Sequence, residues 1–128
     1  MLDAVGFLTI FGGARQPAWS VNALALALVA PLLARTDLPA WANGIARLRA
    51  RLARLFTAAG FTTIESAANW VLVQNATPLR ERLAQRGVLV RDCANFGLDG
   101  TIRVAVPSAD DLERLASALR GALSDATP

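Results

Sequence analysis

The feature that most constrains this chain is a change of hydrophobic periodicity at Gly60. Before Gly60, apolar residues recur at spacings of three and four, as on one face of an amphipathic helix. They are Ile45, Leu48, Leu52, Leu55 and Ala59. After Gly60, residues 61–65 and 69–74 are rich in β-branched and aromatic side chains, which is typical of strands. The sequence therefore predicts helices first and a sheet afterwards, with Gly60 as a helix stop.

The N-terminal part predicts two helices. Ser20 is a candidate N-cap for a helix that runs to about Ala34. Because this helix is apolar on nearly every side, we expect it to be buried on nearly every side. A second helix is expected to start near Asp37, with Pro39 close behind, and to run to Ala59.

The C-terminal part predicts a helix, two strands and a last helix. Thr77 is the expected N-cap of the first of these, which ends at Gly87, and strands follow over residues 88–91 and 101–106. Ser108 is expected to start the last helix. The apolar face of that helix consists of Leu112, Leu115, Ala116 and Leu119. The order α-α-β-β-α-β-β-α indicates an α/β fold of the α+β type, in which two helices precede a small β-β-α-β-β-α sandwich.

The composition favours one domain with a core and with some apolar surface left for a partner. The chain has 128 residues, of which 54% are hydrophobic and 18% are charged; this is more apolar than an ordinary soluble domain. The net charge is only +3, although all 13 basic side chains are arginine, so we expect no nucleic-acid partner. Arg47, Arg51 and Arg54 share one side of the second helix, where a solvated face is preferred to an anion-binding face.

Little in the chain points to metal or thiol chemistry. It contains one cysteine, Cys93, and no histidine, so we expect no internal disulfide, no metal site and no activated thiol. With no recognisable signal peptide, a cytoplasmic location is the expectation. The apolar stretch 19–34 is shorter than the roughly 20 residues that cross a bilayer, so a core helix is preferred to a transmembrane span.

Two arginines are the candidate binding residues. Arg103 lies in the strand 101–106, and Arg91 ends the strand before it. A guanidinium group offers a planar fork of donors that matches a carboxylate or a phosphate. The alternatives are that Arg103 is merely the outward residue of an alternating strand, and that Arg91 pairs with Asp92 or Asp99 at the surface.

Three segments carry a family resemblance. They are Arg-Gln-Pro-Ala-Trp-Ser-Val-Asn-Ala-Leu-Ala at 15–25, Gly-Val-Leu-Val-Arg-Asp-Cys at 87–93, and Phe-Gly-Leu followed by Gly-Thr-Ile-Arg-Val-Ala-Val within 96–106. The chain resembles the C-terminal domain of pyridoxal-phosphate-dependent class I/II aminotransferase-like enzymes of fold type I. The resemblance is closest to threonine-phosphate decarboxylases of cobalamin biosynthesis and next to histidinol-phosphate aminotransferases.

The resemblance implies a role for each part of the chain. Residues 15–36 would be the interdomain helix and residues 37–125 the small domain, with residues 1–14 unassigned. Arg103 would hold a substrate acid group, and Arg91 would be the second arginine that members with phosphorylated substrates use. Asn22 and Trp19 would lie at the interface with the cofactor domain. The ligand would be a phosphorylated, amino-acid-like small molecule.

The resemblance also implies pyridoxal phosphate, which the family binds covalently to a lysine of a larger N-terminal domain. The chain has no lysine, so the expectation is an incomplete enzyme that does not catalyse alone and that needs a cofactor domain or a homodimer partner. One alternative is a free-standing α/β module that binds an anionic metabolite or a protein. Another is a peripheral membrane protein with residues 4–34 as its anchor.

We predict that the chain forms no borohydride-reducible adduct with pyridoxal phosphate on any side chain. The reason is that the α-amine is the only primary amine in a chain without lysine. Peptide mapping by mass spectrometry after reduction checks this prediction. A labelled peptide from anywhere except the N-terminus would contradict it.

Overall fold

The computed structural model describes residues 22–125, and the chain divides into two units, residues 1–38 and 39–128. The described part of the first unit is mainly the helix α1 (Ala23–Ala34). Its N-cap is Asn22, whose Oδ1 accepts a hydrogen bond from the backbone N–H of Ala25 at 2.8 Å. Ser20, the expected N-cap, lies outside the described residues.

The apolar side chains of α1 are exposed. None of its 12 residues is buried, and Leu24 and Leu26 are 68% and 67% exposed. The expectation that this helix is buried on nearly every side is therefore wrong within the described chain. A helix that is apolar all round needs cover on every side, and the described residues do not supply it.

No single helix within residues 22–125 is long and apolar enough to cross a membrane. The helix α1 and the next helix, Leu38–Ala58, meet the length and composition of a span only when they are taken together as a broken pair.

The second unit confirms the predicted order of elements. Its helices are α2 (Leu38–Ala58), α3 (Thr77–Ala84) and α4 (Ala109–Ser124). Its strands are β1 (Thr63–Ile64), β2 (Trp70–Val73), β3 (Arg91–Asp92) and β4 (Ile102–Ala105). A short 3-10 turn, Ala94–Phe96, follows β3. Gly60 has a φ of 87°, a left-handed conformation that glycine adopts easily and that ends α2 as expected.

The four strands form an antiparallel sheet in the order β1-β2-β4-β3. In the central pair, Val71 lies opposite Val104, and Leu72 lies opposite Arg103. Because successive side chains alternate between the two faces of a sheet, one face is apolar. Its buried members are Val71, Val73, Ile102 and Val104. The opposite face is half-buried or exposed.

The three helices of the second unit pack on the apolar sheet face. The core residues that they contribute are Leu52, Phe56, Leu79, Leu83, Leu112, Leu115 and Leu119. In α4, all four residues of the predicted apolar face are buried, and Ser108 caps the helix by accepting from the N–H of Asp111. In α2, the most buried residues are Leu52 and Phe56, and Phe56 was not part of the predicted stripe. The predicted fold class is confirmed.

Two predicted boundaries are wrong. Thr77 is not an N-cap, because α3 begins at Thr77 and Ala76 precedes it without a side-chain cap. The strand expected over residues 88–91 instead comprises Arg91 and Asp92. Val88 donates its backbone N–H to the carbonyl oxygen of Leu83 at 3.0 Å. That hydrogen bond closes the end of α3, so the chain joins the sheet only three residues later.

Arg86 connects the ends of α3 and α4. Its guanidinium donates to the carbonyl oxygens of Arg82 and Gly121, both at 3.2 Å, and forms an ion pair with Asp125. The Arg86 side chain lies against Gly121 so closely that a Cβ there would be 2.7 Å from Nε. Glycine at position 121 therefore makes room for this contact.

We predict that Gly121→Ala does not stabilise the protein, whereas Gly44→Ala does. Replacing a helical glycine by alanine normally stabilises by about 0.5–1 kcal/mol. At Gly44, within α2, the new methyl group meets no described atom within 4 Å, so the full gain is expected. At Gly121 the methyl group displaces Arg86 from its carbonyl partners, which offsets the gain. Urea unfolding of both variants measures the difference.

A further variant separates the two effects at Gly121. In an Arg86→Ala background the obstruction is gone, so adding Gly121→Ala should again stabilise by about 0.5–1 kcal/mol. Equal gains from Gly121→Ala in the presence and absence of Arg86 would show that the contact carries no free energy.

Candidate functional site

A row of four side chains crosses the open face of the sheet. Ile64 lies opposite Leu72, Leu72 lies opposite Arg103, and Arg103 lies opposite Arg91. Directly opposed residues of antiparallel strands point to the same face, with Cβ atoms about 4.5–5.5 Å apart. The register therefore places the two candidate arginines side by side at the β3 end of the row.

Arg103 is half-buried in the centre of this face. Its guanidinium carbon lies over the ring of Trp70 at 5.1 Å from the centroid. Trp70 belongs to β2 and lies opposite Ala105, so it is the diagonal neighbour of Arg103 on the same face. This is within the distance at which a cation and an aromatic ring attract each other. Arg103 is thus the outward residue of an alternating strand and is also held in a defined contact.

Arg91 is exposed at the edge strand. Its guanidinium carbon lies over the ring of Phe96 at 5.0 Å from the centroid. The suggested surface pair with Asp92 is not seen, because the Asp92 carboxylate accepts a hydrogen bond from the N–H of Ala94 at 2.7 Å. Asp99 makes no ion pair with Arg91 within the described residues either.

Neither arginine has a carboxylate partner within residues 22–125, which is also true of most other arginines described there. By contrast, Arg51 pairs with Glu113 at 2.9 Å, and Arg114 pairs with Asp111 at 3.1 Å. Two uncompensated cations opposite each other repel, and together they create a local positive potential. The arrangement is suited to an oxyanion, which would neutralise both charges and accept several charge-assisted hydrogen bonds.

A depression of about 550 Å³ in the second unit is lined by Arg91, Arg80 and Asp92, but not by Arg103. A larger groove of about 770 Å³ lies beside α4 and includes Arg86 and Arg114. Both arginines of the larger groove already have carboxylate partners, so it has less uncompensated charge to offer an anion.

The structure does not bring the other candidates into this site. Asn22 uses its side chain as the N-cap of α1, and its place at a cofactor-domain interface stays a prediction. Trp19 lies outside the described residues. Cys93 is buried. Within residues 22–125 no group of three or more acidic, histidine or cysteine side chains is placed to hold a metal ion.

The two aromatic residues of the site, Trp70 and Phe96, were not predicted from the sequence. For Trp70 a sequence signal was available. Trp70 alternates with buried residues of β2 and Arg103 alternates with buried residues of β4, so both lie on the open face. Their contact also depends on the strand register, which the spacing of residues in the sequence does not fix. The position of the Phe96 ring depends on the 3-10 turn, which ends at Gly97 with a φ of 72°. A turn of three residues is too short to give a periodic sequence pattern.

A family model described as aminotransferase class I and II matches residues 9–119. The chain belongs to this family. It is 38% identical over 122 residues to histidinol-phosphate aminotransferase 2 of Methylococcus capsulatus, covering 92% of this chain and 33% of that protein. It is also 38% identical over 118 residues to histidinol-phosphate aminotransferase of Symbiobacterium thermophilum, covering 88% of this chain and 32% of that protein.

A solved structure agrees with the assignment to the class I and II aminotransferases. A protein of Burkholderia pseudomallei assigned as an aminotransferase superposes with a TM-score of 0.55 at 35% identity. The match covers 59% of this chain and 24% of that protein. The chain spans about a third of the length of the curated relatives named above.

The residues of this chain do not fit the covalent cofactor site of the family. Complete class I and II aminotransferases carry pyridoxal phosphate, and this cofactor is held through a lysine amine. All 13 basic residues here are arginine. What the chain does offer is the pair Arg91 and Arg103, which is suited to binding an anion.

Proposed function

We propose that this chain is the substrate-binding C-terminal part of a pyridoxal-phosphate-dependent aminotransferase whose substrate is a phosphorylated, amino-acid-like molecule. The observation that carries the proposal is the pair of opposed arginines on the open sheet face, each against an aromatic ring and neither paired with a carboxylate among the described residues. Membership of the aminotransferase family supplies the reaction class.

A phosphate monoester suits this pair better than a lone carboxylate does. Each guanidinium presents five N–H donors in a planar fork, so two adjacent guanidinium groups can supply four or more hydrogen bonds to one ligand. A phosphate dianion has three terminal oxygens to accept them and a charge that balances both cations. A carboxylate has two oxygens and one charge and would leave one arginine uncompensated.

The relatives favour histidinol phosphate over threonine phosphate as the ligand to test first. The curated relatives named above are histidinol-phosphate aminotransferases, and they do not show the predicted closeness to threonine-phosphate decarboxylase. The two ligands differ in chemistry, since threonine phosphate carries a carboxylate besides its phosphate and histidinol phosphate does not. Tighter binding of threonine phosphate would favour the decarboxylase, with one arginine on each acid group.

Catalysis would require a lysine-bearing cofactor domain that this chain does not contain. In the proposed assembly the chain binds and orients the substrate anion, and the other domain contributes the covalent site. A free-standing module that binds an anionic metabolite would use the same arginines without that domain. The two alternatives differ in whether a cofactor domain increases the affinity for the phosphorylated ligand.

The exposed helix α1 is the proposed contact with a partner. Its exposed large apolar residues are Leu24, Leu26, Leu28, Val29, Leu32 and Leu33. Contiguous apolar surface of this kind marks an interaction site, and the expected occupants are a cofactor domain or a second copy of the chain. A membrane surface is the remaining alternative for the same helix.

We predict that the isolated chain self-associates through α1. Replacing Leu24 and Leu32 by Gln should remove apolar surface without altering the second unit, and should shift the protein toward monomer. Sedimentation velocity over a dilution series measures the change in association. Leu112→Gln is unsuitable as a control variant, because Leu112 lies in the core and this replacement would unfold the chain. A dilution-stable monomer that binds neither a hydrophobic dye nor lipid vesicles would count against any partner at α1.

We also predict that Arg103 and Arg91 form a joint anion clamp. In the chain joined to its cofactor domain, Arg103→Ala or Arg91→Ala should weaken binding of histidinol phosphate by about 2–4 kcal/mol. Arg103→Lys should not restore it, because a point charge does not reproduce the planar fork. Isothermal titration calorimetry measures the losses.

The control for the clamp is Arg47→Ala, an exposed arginine of α2. Loss of a surface charge of this kind changes binding by less than about 1 kcal/mol. If Arg103→Ala and Arg91→Ala weaken the ligand no more than Arg47→Ala does, the clamp does not exist and both residues are ordinary surface arginines.

A further inference from the structure

We propose that Trp70 and Phe96 are positioning residues, which hold the guanidinium groups of Arg103 and Arg91 face-on so that their N–H edges stay free for one oxyanion. The proposal rests on the proposed function only for the identity of that anion. The contacts themselves are properties of the chain without a ligand. Neither aromatic residue needs to touch the substrate for this role.

Trp70 reaches Arg103 because of the strand register. Trp70 lies opposite Ala105, so Arg103, two residues earlier in β4, is its diagonal neighbour on the same face. Diagonal neighbours are within reach of aromatic and long side chains. The other neighbour of Arg103 on β2 is Leu72, whose side chain has no charge and no hydrogen-bond acceptor. The guanidinium therefore has an indole ring on one side, and Leu72 offers no side-chain acceptor that would compete with a ligand.

Phe96 reaches Arg91 because the chain turns back after β3. The Asp92 carboxylate accepts from the N–H of Ala94, and the N–H of Phe96 donates to the carbonyl oxygen of Cys93 at 2.9 Å. These hydrogen bonds fix a tight turn. Phe96 is 56% exposed, so it is not a core residue, and its ring contact is the one with Arg91.

An aromatic ring holds a guanidinium differently from a carboxylate. The negative face of the ring attracts the flat face of the cation, whereas a carboxylate accepts from the N–H groups at its edge. Arg51 and Arg114 donate N–H groups to carboxylates, so part of each fork is occupied. The guanidinium carbons of Arg103 and Arg91 lie over aromatic rings instead, and a face-on contact of this kind leaves the edge donors available to a ligand.

The same contacts reduce the cost of placing two cations side by side. Like charges directly opposite each other are destabilising, and without a constraint two long arginine side chains would swing apart into solvent. Each ring adds an attraction that opposes this motion. Each guanidinium group then stays in place before the anion arrives, so less side-chain entropy is lost on binding.

The first experiment measures arginine mobility in the full chain without any ligand. Nitrogen-15 relaxation of the arginine Nε–H groups reports their motion on the picosecond to nanosecond timescale, and Arg103→Lys and Arg91→Lys assign the two signals by their loss. Trp70→Leu should raise the mobility of Arg103, and Phe96→Leu should raise that of Arg91. Trp70→Phe and Phe96→Tyr keep a ring and should leave both arginines restrained.

The control is Trp41→Leu, which removes a tryptophan that is 62% exposed on α2 and does not contact either arginine. This change should leave the signals of Arg91 and Arg103 unaltered. Backbone amide spectra of all variants show whether the sheet is intact, so a lost fold is recognised separately from a freed side chain. Unchanged Arg103 mobility in a folded Trp70→Leu variant would overturn the proposal for that pair.

The second experiment joins the same variants to the cofactor domain, as in the clamp experiment, and titrates them with histidinol phosphate and with inorganic phosphate. Trp70→Leu and Phe96→Leu should each weaken binding by about two- to fivefold, the size expected for one exposed contact between a cation and a ring. Trp70→Phe should recover most of the loss at Arg103. Equal affinities for Trp70→Leu and the unaltered chain would show that the ring does not prepare the site.

The two experiments separate this proposal from the proposed function. If the arginines become mobile in the leucine variants and neither phosphate compound binds to any form, the positioning contacts are real and the substrate class is wrong. If histidinol phosphate binds and the arginine mobility does not depend on the rings, the substrate class is supported and the positioning role is excluded.

Discussion

The pairing of β2 with β4 is the contact on which the rest of this unit depends. It fixes both faces of the sheet at once: Val71 and Val104 face the helices, and Leu72 and Arg103 face away. A slip of one residue in either strand would exchange its two faces. It would turn a guanidinium into the core and expose valine, and each buried valine is worth about 1.5–3 kcal/mol. The hydrophobic core therefore selects the register that also places Arg103 opposite Arg91 on the open face.

The hydrophobic core and the candidate anion site thus lie on opposite faces of the same strands. The buried face gathers leucine and phenylalanine from three helices, and this apolar burial dominates folding. On the open face the opposed arginines repel, and the two ring contacts offset part of the cost. An acidic neighbour would compensate the charges more fully, but it would occupy the donors that an incoming anion needs. The site is consequently less stable than it could be, which is typical of sites shaped for binding.

The sequence predicts the elements of this fold well because their signals are local. Ser108 and Gly60 mark helix ends through their own hydrogen bonding and φ angle, and periodicity locates the buried face of α4. The errors arise where a backbone hydrogen bond to a neighbouring element decides whether a residue joins a strand. Val88 has the side chain of a strand residue, yet its N–H is taken by Leu83. For the site, sequence predicts that Arg103 points outward, but the ring of Trp70 follows only from the register of a strand some thirty residues away.

The exclusive use of arginine in this chain agrees with a binding role and opposes a covalent one. A lysine ammonium is a compact point charge that cannot lie flat against an indole while it directs a fork of donors elsewhere. An arginine guanidinium can do both, and that of Arg103 lies over the ring of Trp70. Conversely, the family needs a primary amine for its cofactor, and a guanidinium does not supply one. The arginines that would suit this unit to holding an anion therefore do not supply the amine on which the cofactor chemistry of the family depends.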